Sequence, residues 1–374
     1  MGLTSNKVLA LTAVLAVVLF FGTIWIWPRL ARSTWRAVIG RAGLLLATQF
    51  MIFATIGVAA NQAFGFYASW ADLFGQEKGQ GVVTDYGSTR THAPLRLSGT
   101  QTVNVSGGAS PDVGGQIHQV DIIGPVSHIA TPAYVYLPPE YFQPKYQNRK
   151  FPAATILTGY PGTASALIKG LQYPQTAHQL AEAGQMPPMI LVMLRPTVAP
   201  PRDTECVDVP NGPQSETFFA KDLPDVVSSH YRVDRRPGSW GIIGDSTGGY
   251  CALKLALHHP EVYAAAVGLS PYYQAASDPT TGDLFQGNQD LRNRANLMWF
   301  MQNMPPPRTS LLVTTSKQGE HSYGDTMKFI DLVRSKPPTR IASIVLDSGG
   351  HNFNTWRREI PPAMEWMGTR LADR

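Results

Sequence analysis

Two long apolar segments dominate the N-terminal part of the chain. Residues 8–27 form an apolar stretch of 20 residues without a charge, and residues 42–71 also lack charged side chains, with 43–60 as their most apolar part. Each stretch is long enough to cross a bilayer as a helix. The pattern therefore predicts a membrane anchor over residues 1–70, with transmembrane helices at 8–27 and 43–60.

The segment between the two stretches is basic and has no acidic residue. Its four positive charges are Arg29, Arg32, Arg36 and Arg41. By the positive-inside rule this loop is cytoplasmic, so the chain after Trp70 faces the extracytoplasmic side. A signal sequence that ends at the small residues Val58-Ala59-Ala60 is the alternative interpretation. Two separate spans favour a retained, multi-pass anchor in the cell membrane, and both interpretations place the rest of the chain outside the cytoplasm.

The pattern changes again after the predicted anchor. Residues 71–115 are rich in Gly, Ser, Thr and other polar residues, which predicts a linker with one short strand near 102–105. Residues 116–374 then alternate short apolar runs with helical stretches. The predicted strands cover 117–123, 133–137, 153–158, 189–194, 240–243, 264–269, 310–315 and 341–346, and the predicted helices cover 164–183, 217–230, 250–258, 325–333 and 354–371.

This alternation predicts an α/β domain. Several of the strands are apolar on both faces, as in a mostly parallel sheet that helices cover on both sides. Residues 272–306 interrupt the alternation and are interpreted as an insertion over the site. The aromatic and methionine side chains of this insertion fit either an acyl pocket or the ordinary packing of a capping helix.

A glycine-rich turn joins the predicted strand 240–243 to the next helix. Residues 244–249 read G-D-S-T-G-G, which matches the G-x-S-x-G nucleophile elbow in the strand-to-helix context that this motif requires. The elbow places the serine hydroxyl on a sharp bend, and the helix that follows favours developing negative charge at its N-terminus. Ser246 is therefore the candidate nucleophile.

The order nucleophile, acid, histidine along the chain restricts its catalytic partners. His258 and His259 end the helix after the elbow and precede Pro260, so they fit a helix C-terminus. His351 lies in a loop directly after the last predicted strand and is the candidate general base. The acid is expected on the loop after strand 310–315, where Glu320 is favoured. Asp325 is the alternative, although it also fits the first turn of the next helix.

Two backbone N–H groups are needed to stabilise the oxyanion of an acyl-transfer intermediate. Thr247 directly follows the nucleophile and is expected to supply one of them. The other is expected from residues 159–163, G-Y-P-G-T, in the loop after strand 153–158. Pro161 has no amide hydrogen, so Tyr160 is the preferred donor and Gly162 the second choice.

Charge, motif and cysteine content bear on possible ligands and on a disulfide. The net charge of +5 comes partly from the arginines near the anchor, and no Lys/Arg block follows, so nucleic-acid binding is not indicated. No Cys/His cluster has metal-ligand spacing and no phosphate-binding loop motif occurs, so neither a metal nor a cofactor is expected. Cys206 and Cys251 are the only cysteines, and outside the cytoplasm they can form a disulfide. Two buried thiols are the alternative.

These motifs give the chain a family resemblance over residues 117–371. It is carried by residues 240–260, W-G-I-I-G-D-S-T-G-G-Y-C-A-L-K-L-A-L-H-H-P, by Asp222-Leu223-Pro224, and by Gly349-Gly350-His351 with Trp356 following. The region resembles the esterase family that contains esterase D (S-formylglutathione hydrolase), feruloyl esterases, enterochelin esterases and the mycolyltransferases of the actinobacterial envelope. The resemblance implies the α/β-hydrolase fold, ester chemistry and a triad of Ser246, Glu320 and His351. The two-span N-terminus is not typical of the soluble members.

The expected protein is thus a membrane-anchored, extracytoplasmic serine carboxylesterase that acts through an acyl-enzyme. Its expected substrate is an ester of a small molecule or a lipid. One alternative is an acyltransferase of the mycolyltransferase type, which moves the acyl group to an envelope alcohol instead of water. The other is a binding protein that keeps the hydrolase fold without turnover.

Overall fold

The computed structural model describes residues 5–64, 70, 93–103, 105, 108, 110–234, 236 and 238–371. The chain divides into two compact units, Met1–Gly81 and Val82–Arg374. The predicted linker 71–115 therefore lies partly outside the described residues, since only 93–103, 105, 108 and 110–115 of it are described.

The N-terminal unit contains two long helices. Helix α1 spans Asn6–Ile26 and α2 spans Trp35–Phe64, with a short 3₁₀ turn at Trp27–Leu30. Both are long and apolar enough to cross a membrane. Large apolar side chains point outward from them, for example Phe21 at 62% and Phe53 at 72% exposure. Helix α1 begins before its predicted span and ends at Ile26, while α2 extends beyond its predicted span at both ends, because the helical backbone continues from the apolar segment into its polar flanks.

Within its described residues, the second unit is built on one nine-stranded sheet in the order β1-β2-β3-β5-β4-β6-β7-β8-β9. Its strands are β1 Leu95–Thr102, β2 Gln116–Ile123, β3 Ala130–Leu137, β4 Ala153–Leu157, β5 Ile190–Leu194, β6 Trp240–Asp245, β7 Tyr263–Leu269, β8 Ser310–Gln318 and β9 Arg340–Ser348. The pairs from β1 to β5 across β2 and β3 are antiparallel. All the others are parallel.

Helices cover both faces of this sheet. They are α3 Ala164–Lys169, α4 Tyr173–Glu182, α5 Leu223–His230, α6 Thr247–His258, α7 Gln289–Arg294, α8 Leu297–Asn303, α9 Tyr323–Arg334 and α10 Phe353–Leu371, with shorter helical turns at Pro111–Gly114, Pro139–Tyr141, Pro144–Tyr146, Ser215–Thr217 and Phe218–Asp222. One core layer packs α5, α6 and α9 on the sheet. The other packs α3, α4 and α10 on the opposite face. Strands β4 to β7 are buried along their whole length, as the apolar runs predict.

The structure differs from the predicted elements in three places. The predicted helix 217–230 is divided into a π-helical turn at Phe218–Asp222 and α5. Strand β1 lies inside the predicted linker and ends at Thr102, where the short strand predicted near 102–105 was expected to begin; it has little hydrophobic alternation, since only Leu95 of its eight residues is buried. The predicted helix 164–183 is two helices, α3 and α4. The break comes at Gly170, where a Cβ would lie 2.7 Å from the Phe353 ring, and at Gln172, whose φ of 57° is left-handed.

A disulfide joins Cys206 to Cys251 and ties the segment before β6 to helix α6. Lys254, one helical turn further on, donates from Nζ to the Cys206 carbonyl at 2.7 Å and forms a buried ion pair with Glu216. His258 and His259, at the C-terminus of α6, also contact the Glu216 carboxylate. The segment around Cys206 is therefore held to α6 by both covalent and polar contacts.

Replacing both cysteines with serine is expected to lower the free energy of unfolding. For a separation of 45 residues, the chain-entropy model gives a loss of about 4 kcal/mol. Thermal or denaturant unfolding of the wild type and the double variant measures the difference. Added reductant should lower the free energy of unfolding of the wild type and leave that of the double variant unchanged. Equal free energies of unfolding for the two proteins without reductant would contradict the expectation.

Candidate active site

Ser246 lies at the bend between strand β6 and helix α6. Its backbone has φ 53° and ψ −119°, a conformation that L-residues rarely adopt. The two flanking glycines are required by close packing: a Cβ at Gly244 would lie 2.2 Å from the Gly248 backbone, and one at Gly248 would lie 2.5 Å from the Thr158 carbonyl oxygen. The turn therefore has the geometry of a nucleophile elbow.

His351 lies on the loop between β9 and α10 and reaches the elbow. Its Nε2 is 2.8 Å from the Ser246 Oγ. The loop ends at Asn352, whose Oδ1 accepts from the Asn354 amide at 3.0 Å at the start of α10. The Trp356 ring contacts the imidazole edge-on, with the ring centroids 5.1 Å apart. Contacts with the Ser246 hydroxyl and the Trp356 ring thus orient the histidine, while its side chain stays 44% exposed.

Glu320 lies behind this histidine, with its Oε2 3.6 Å from the His351 Nδ1. Two glycines allow the loops after β8 and β9 to approach. A Cβ at Gly319 would lie 2.4 Å from the Gly349 carbonyl oxygen, and the Gly349 amide donates to the Gln318 carbonyl at 2.9 Å. Burial opposes ionisation of Glu320, but the interactions with His351, Ser270 and Ser322 together outweigh it and place the pKa of this carboxyl below its usual value.

Asp325, the alternative acid, lies elsewhere. It is in the first turn of α9, where its Oδ1 pairs with the Lys328 Nζ at 2.9 Å and its side chain is 71% exposed. The structure therefore brings Ser246, His351 and Glu320 together and leaves Asp325 on the surface.

The two expected oxyanion donors belong to the helix after the serine and to the loop after β4. Thr247 is the first residue of α6, so its amide is among those that a helix leaves without an intrahelical acceptor. On the loop after β4, the Gly162 amide already donates to the Gly159 carbonyl at 2.8 Å. Since Pro161 has no amide hydrogen, this contact favours Tyr160 over Gly162 on that loop.

Glu359 is a buried acid beside the site that the sequence analysis does not assign. It is 0% exposed, and its Oε2 accepts from the Thr314 hydroxyl at 2.7 Å. Thr314 in turn accepts from the Ser270 amide at 3.0 Å, and Ser270 accepts from the Trp356 indole at 3.0 Å. In the sequence, the only sign of this buried acid is a single carboxylate on the otherwise apolar face of the predicted helix 354–371.

Burial raises the pKa of Glu359 to about 8, and the charge of Glu320 adds to this, although the Thr314 hydrogen bond opposes it. The unfolded chain ionises this group near 4.5, so between these pH values only the folded state holds the proton. The contribution of Glu359 to stability is therefore lost as pH rises from about 4.5 to 8.

In the Glu359→Gln variant this pH dependence should be absent. The melting temperature of the wild type minus that of the variant is expected to fall steadily from pH 5 to pH 8, with both proteins in the same detergent. The pH dependence that comes from titratable groups present in both proteins cancels in this difference. A difference that stays constant from pH 5 to pH 8 would show that Glu359 is already ionised in the folded protein.

The insertion 272–306 forms helices α7 and α8 and borders a surface cavity of about 550 Å³. Its apolar side chains divide into two groups. Tyr273, Phe285, Phe300 and Met301 are buried, whereas Tyr272, Met298, Trp299 and Met304 are half-buried. Tyr272 stacks on Tyr250 with the ring centroids 5.1 Å apart, and its hydroxyl donates to the buried Glu205 at 2.7 Å. Packing therefore accounts for the first group, although Phe285 borders the cavity together with Trp299.

Comparison with solved structures identifies the fold. An S-formylglutathione hydrolase from Agrobacterium tumefaciens aligns over 74% of this chain and 99% of its own, with 15% identity and a TM-score of 0.58. A ferulic acid esterase aligns over 68% of this chain and 97% of its own, with 17% identity and a TM-score of 0.57. The nine-stranded unit thus has the α/β-hydrolase fold, which confirms the predicted fold class.

The family follows from the sequence. The family model described as "Putative esterase" matches residues 130–367, more than half of the chain, so the chain belongs to this family of hydrolases. The resemblance drawn from residues 240–260 is thereby confirmed. An uncharacterized protein of Corynebacterium glutamicum is 25% identical over 263 residues, which are 64% of this chain and 58% of that protein. The match thus spans little more than half the length of this relative.

Proposed function

We propose that the chain is a membrane-anchored serine carboxylesterase whose catalytic unit lies outside the cytoplasm and acts through an acyl-enzyme. The contact of 2.8 Å between the His351 Nε2 and the Ser246 Oγ, at an elbow of the required shape, carries this proposal. Glu320 behind the histidine and membership of an esterase family support it. The substrate class is a carboxylic ester.

In the acylation half of the proposed reaction, the Ser246 Oγ attacks the ester carbonyl carbon while the His351 Nε2 takes the hydroxyl proton. The Glu320 carboxylate, 3.6 Å from the His351 Nδ1, stabilises the imidazolium by its charge. The amides of Thr247 and Tyr160 donate to the oxyanion. When the tetrahedral intermediate collapses, the bond to the alcohol oxygen breaks and His351 returns the proton to the leaving alcohol.

Deacylation repeats these steps with water. His351 takes a proton from the water as its oxygen attacks the acyl-enzyme carbonyl, and Ser246 leaves with that proton restored. An alcohol that enters in place of water would be acylated by the same machinery. The partial exposure of His351 leaves the base accessible to either nucleophile.

Hydrolysis of p-nitrophenyl esters from acetate to palmitate tests the reaction, with the full chain in detergent and its Ser246→Ala variant beside it. Serine-dependent turnover is the expected result, and the preferred chain length indicates the size of the acyl pocket. Covalent labelling of Ser246 by a fluorophosphonate without hydrolysis would favour a transferase. The absence of both would favour a binding protein on the hydrolase fold.

The membrane anchor is proposed from helices α1 and α2. Their length, their outward apolar side chains and the arginines from Arg29 to Arg41, in the connecting segment and at the start of α2, support two spans with the connecting segment in the cytoplasm. Alkaline phosphatase fused to the C-terminus, which is active only outside the cytoplasm, tests this topology. Activity of a cytoplasmic reporter at the same position would contradict it.

A further inference from the structure

Asp245 directly precedes the nucleophile and is 1% exposed at the end of strand β6. Its Oδ2 accepts from the Gly159 amide at 2.8 Å. Gly159 is the first residue of the loop that carries Tyr160, the proposed second oxyanion donor. The hydrogen bond therefore joins the two strand ends, β4 and β6, on which the oxyanion hole is built.

Packing around Gly159 shows how closely the loop approaches the elbow. A Cβ at this position would lie 3.0 Å from the Ser246 Cβ and 3.1 Å from the Asp245 Oδ2. The next turn of the loop closes on itself, since the Gly162 amide donates to the Gly159 carbonyl at 2.8 Å. The orientation of the Tyr160 amide therefore depends on where Gly159 is held.

We propose that Asp245 is a positioning residue that fixes the Gly159–Tyr160 backbone against Ser246 and so maintains the geometry of the oxyanion hole. The inference rests on the proposed esterase function for its catalytic consequence. Without the Asp245 acceptor, the half-buried Gly159 amide would lose the hydrogen bond that ties it to the end of β6, which costs free energy. The loop would then shift to recover a partner, and the Tyr160 amide would move with it.

Burial raises the pKa of Asp245 to about 7, although the Gly159 amide opposes the rise. The neutral and the ionised carboxyl both offer an oxygen to that amide. An asparagine side chain offers one as well, in nearly the same shape. Asp245→Asn is therefore the conservative variant that should preserve the link, and Asp245→Ala is the variant that removes it.

The test compares these two variants with the wild type as full chains in detergent. Asp245→Ala is expected to lower kcat for p-nitrophenyl acetate about 100-fold with KM little changed, the cost of displacing a catalytic group by about 1 Å. Its affinity for an alkyl trifluoromethyl ketone, which forms a hemiketal oxyanion on the serine, should fall by a similar factor. Asp245→Asn should stay within a few-fold of the wild type.

Asp222→Ala is the matched control for a merely structural effect. Asp222 is also fully buried and accepts backbone amides of another segment, from Val126 at 3.1 Å and Ser127 at 2.7 Å. This variant should lose stability but keep kcat. An equal loss of kcat in Asp222→Ala, or in Asp245→Asn, would overturn the positioning role.

Amide hydrogen exchange provides a readout that does not depend on turnover. Peptides that contain residues 159–163 should exchange faster in Asp245→Ala than in the wild type or Asp245→Asn. If the wild type shows no serine-dependent turnover, the proposed function fails, and exchange alone still decides whether Asp245 holds the loop. Unchanged exchange in Asp245→Ala would overturn the inference even in an active enzyme.

Discussion

Ser246→Ala is expected to abolish hydrolysis of p-nitrophenyl esters, with a loss in kcat of roughly 10⁶-fold. Without the hydroxyl, His351 has no serine proton to take and no acyl-enzyme can form. His351 and Glu320 then have no nucleophile to activate for the first step. The substitution removes one oxygen and keeps the Cβ. The backbone at φ 53° is already adopted by a side-chain-bearing residue, so the fold should be preserved.

The measurement is turnover of the variant beside its melting temperature and its labelling by a fluorophosphonate. Ser229→Ala is a suitable control, because the Ser229 hydroxyl donates within helix α5 to the Val226 carbonyl at 2.7 Å. That variant should retain both turnover and labelling. Residual activity of Ser246→Ala close to that of the wild type would mean that another group is the nucleophile.

The second large effect is expected at Glu320. Glu320→Gln should lower kcat by about 10⁴-fold, as loss of the orienting carboxylate does when the histidine adopts the wrong tautomer. The Glu320 side chain is only 3% exposed, so water cannot substitute for its contact with His351. The same reasoning predicts little loss of substrate binding, and KM should change much less than kcat.

Asp325→Asn is the matched control for Glu320→Gln. Both substitutions replace a carboxylate with the corresponding amide on the segment after β8, but Asp325 is exposed and pairs only with Lys328 among the described residues. An exposed pair of this kind contributes little to stability, so kcat should be unchanged within a few-fold. If Asp325→Asn proves the more damaging change in the kinetics, the assignment of the acid is wrong.

Much of this unit could be predicted from local sequence pattern. Strands β4 to β7 are continuous apolar runs, which predict buried strands. At the end of β6 the residues G-D-S-T-G-G predict a sharp turn into a helix. The chain order of Ser246 and His351 then limits the histidine to a loop after a late strand. These features depend on neighbours in sequence, which is why pattern alone locates them.

Other features depend on contacts between distant segments. Strand β1 is an edge strand with a single buried side chain, so it carries almost no hydrophobic period. Asp245 and Glu359 have roles that only their partners define, namely the Gly159 amide 86 residues away and the Thr314 hydroxyl 45 residues away. No spacing rule connects such distant positions. The sequence shows only that a charged residue lies in a predicted buried strand or on the apolar face of a helix, and it does not indicate the partner.

The disulfide has a consequence for the integrity of the chain. The bond between Cys206 and Cys251 closes a ring that contains all of β6 together with Ser246. An exposed turn with a left-handed residue, Asn211, lies within the same ring. A protease nick at this turn would leave two polypeptides that migrate as one species on a non-reducing gel and separate only when a thiol is added. The strand that bears the nucleophile would thus remain attached to the rest of the molecule after the backbone has been cut.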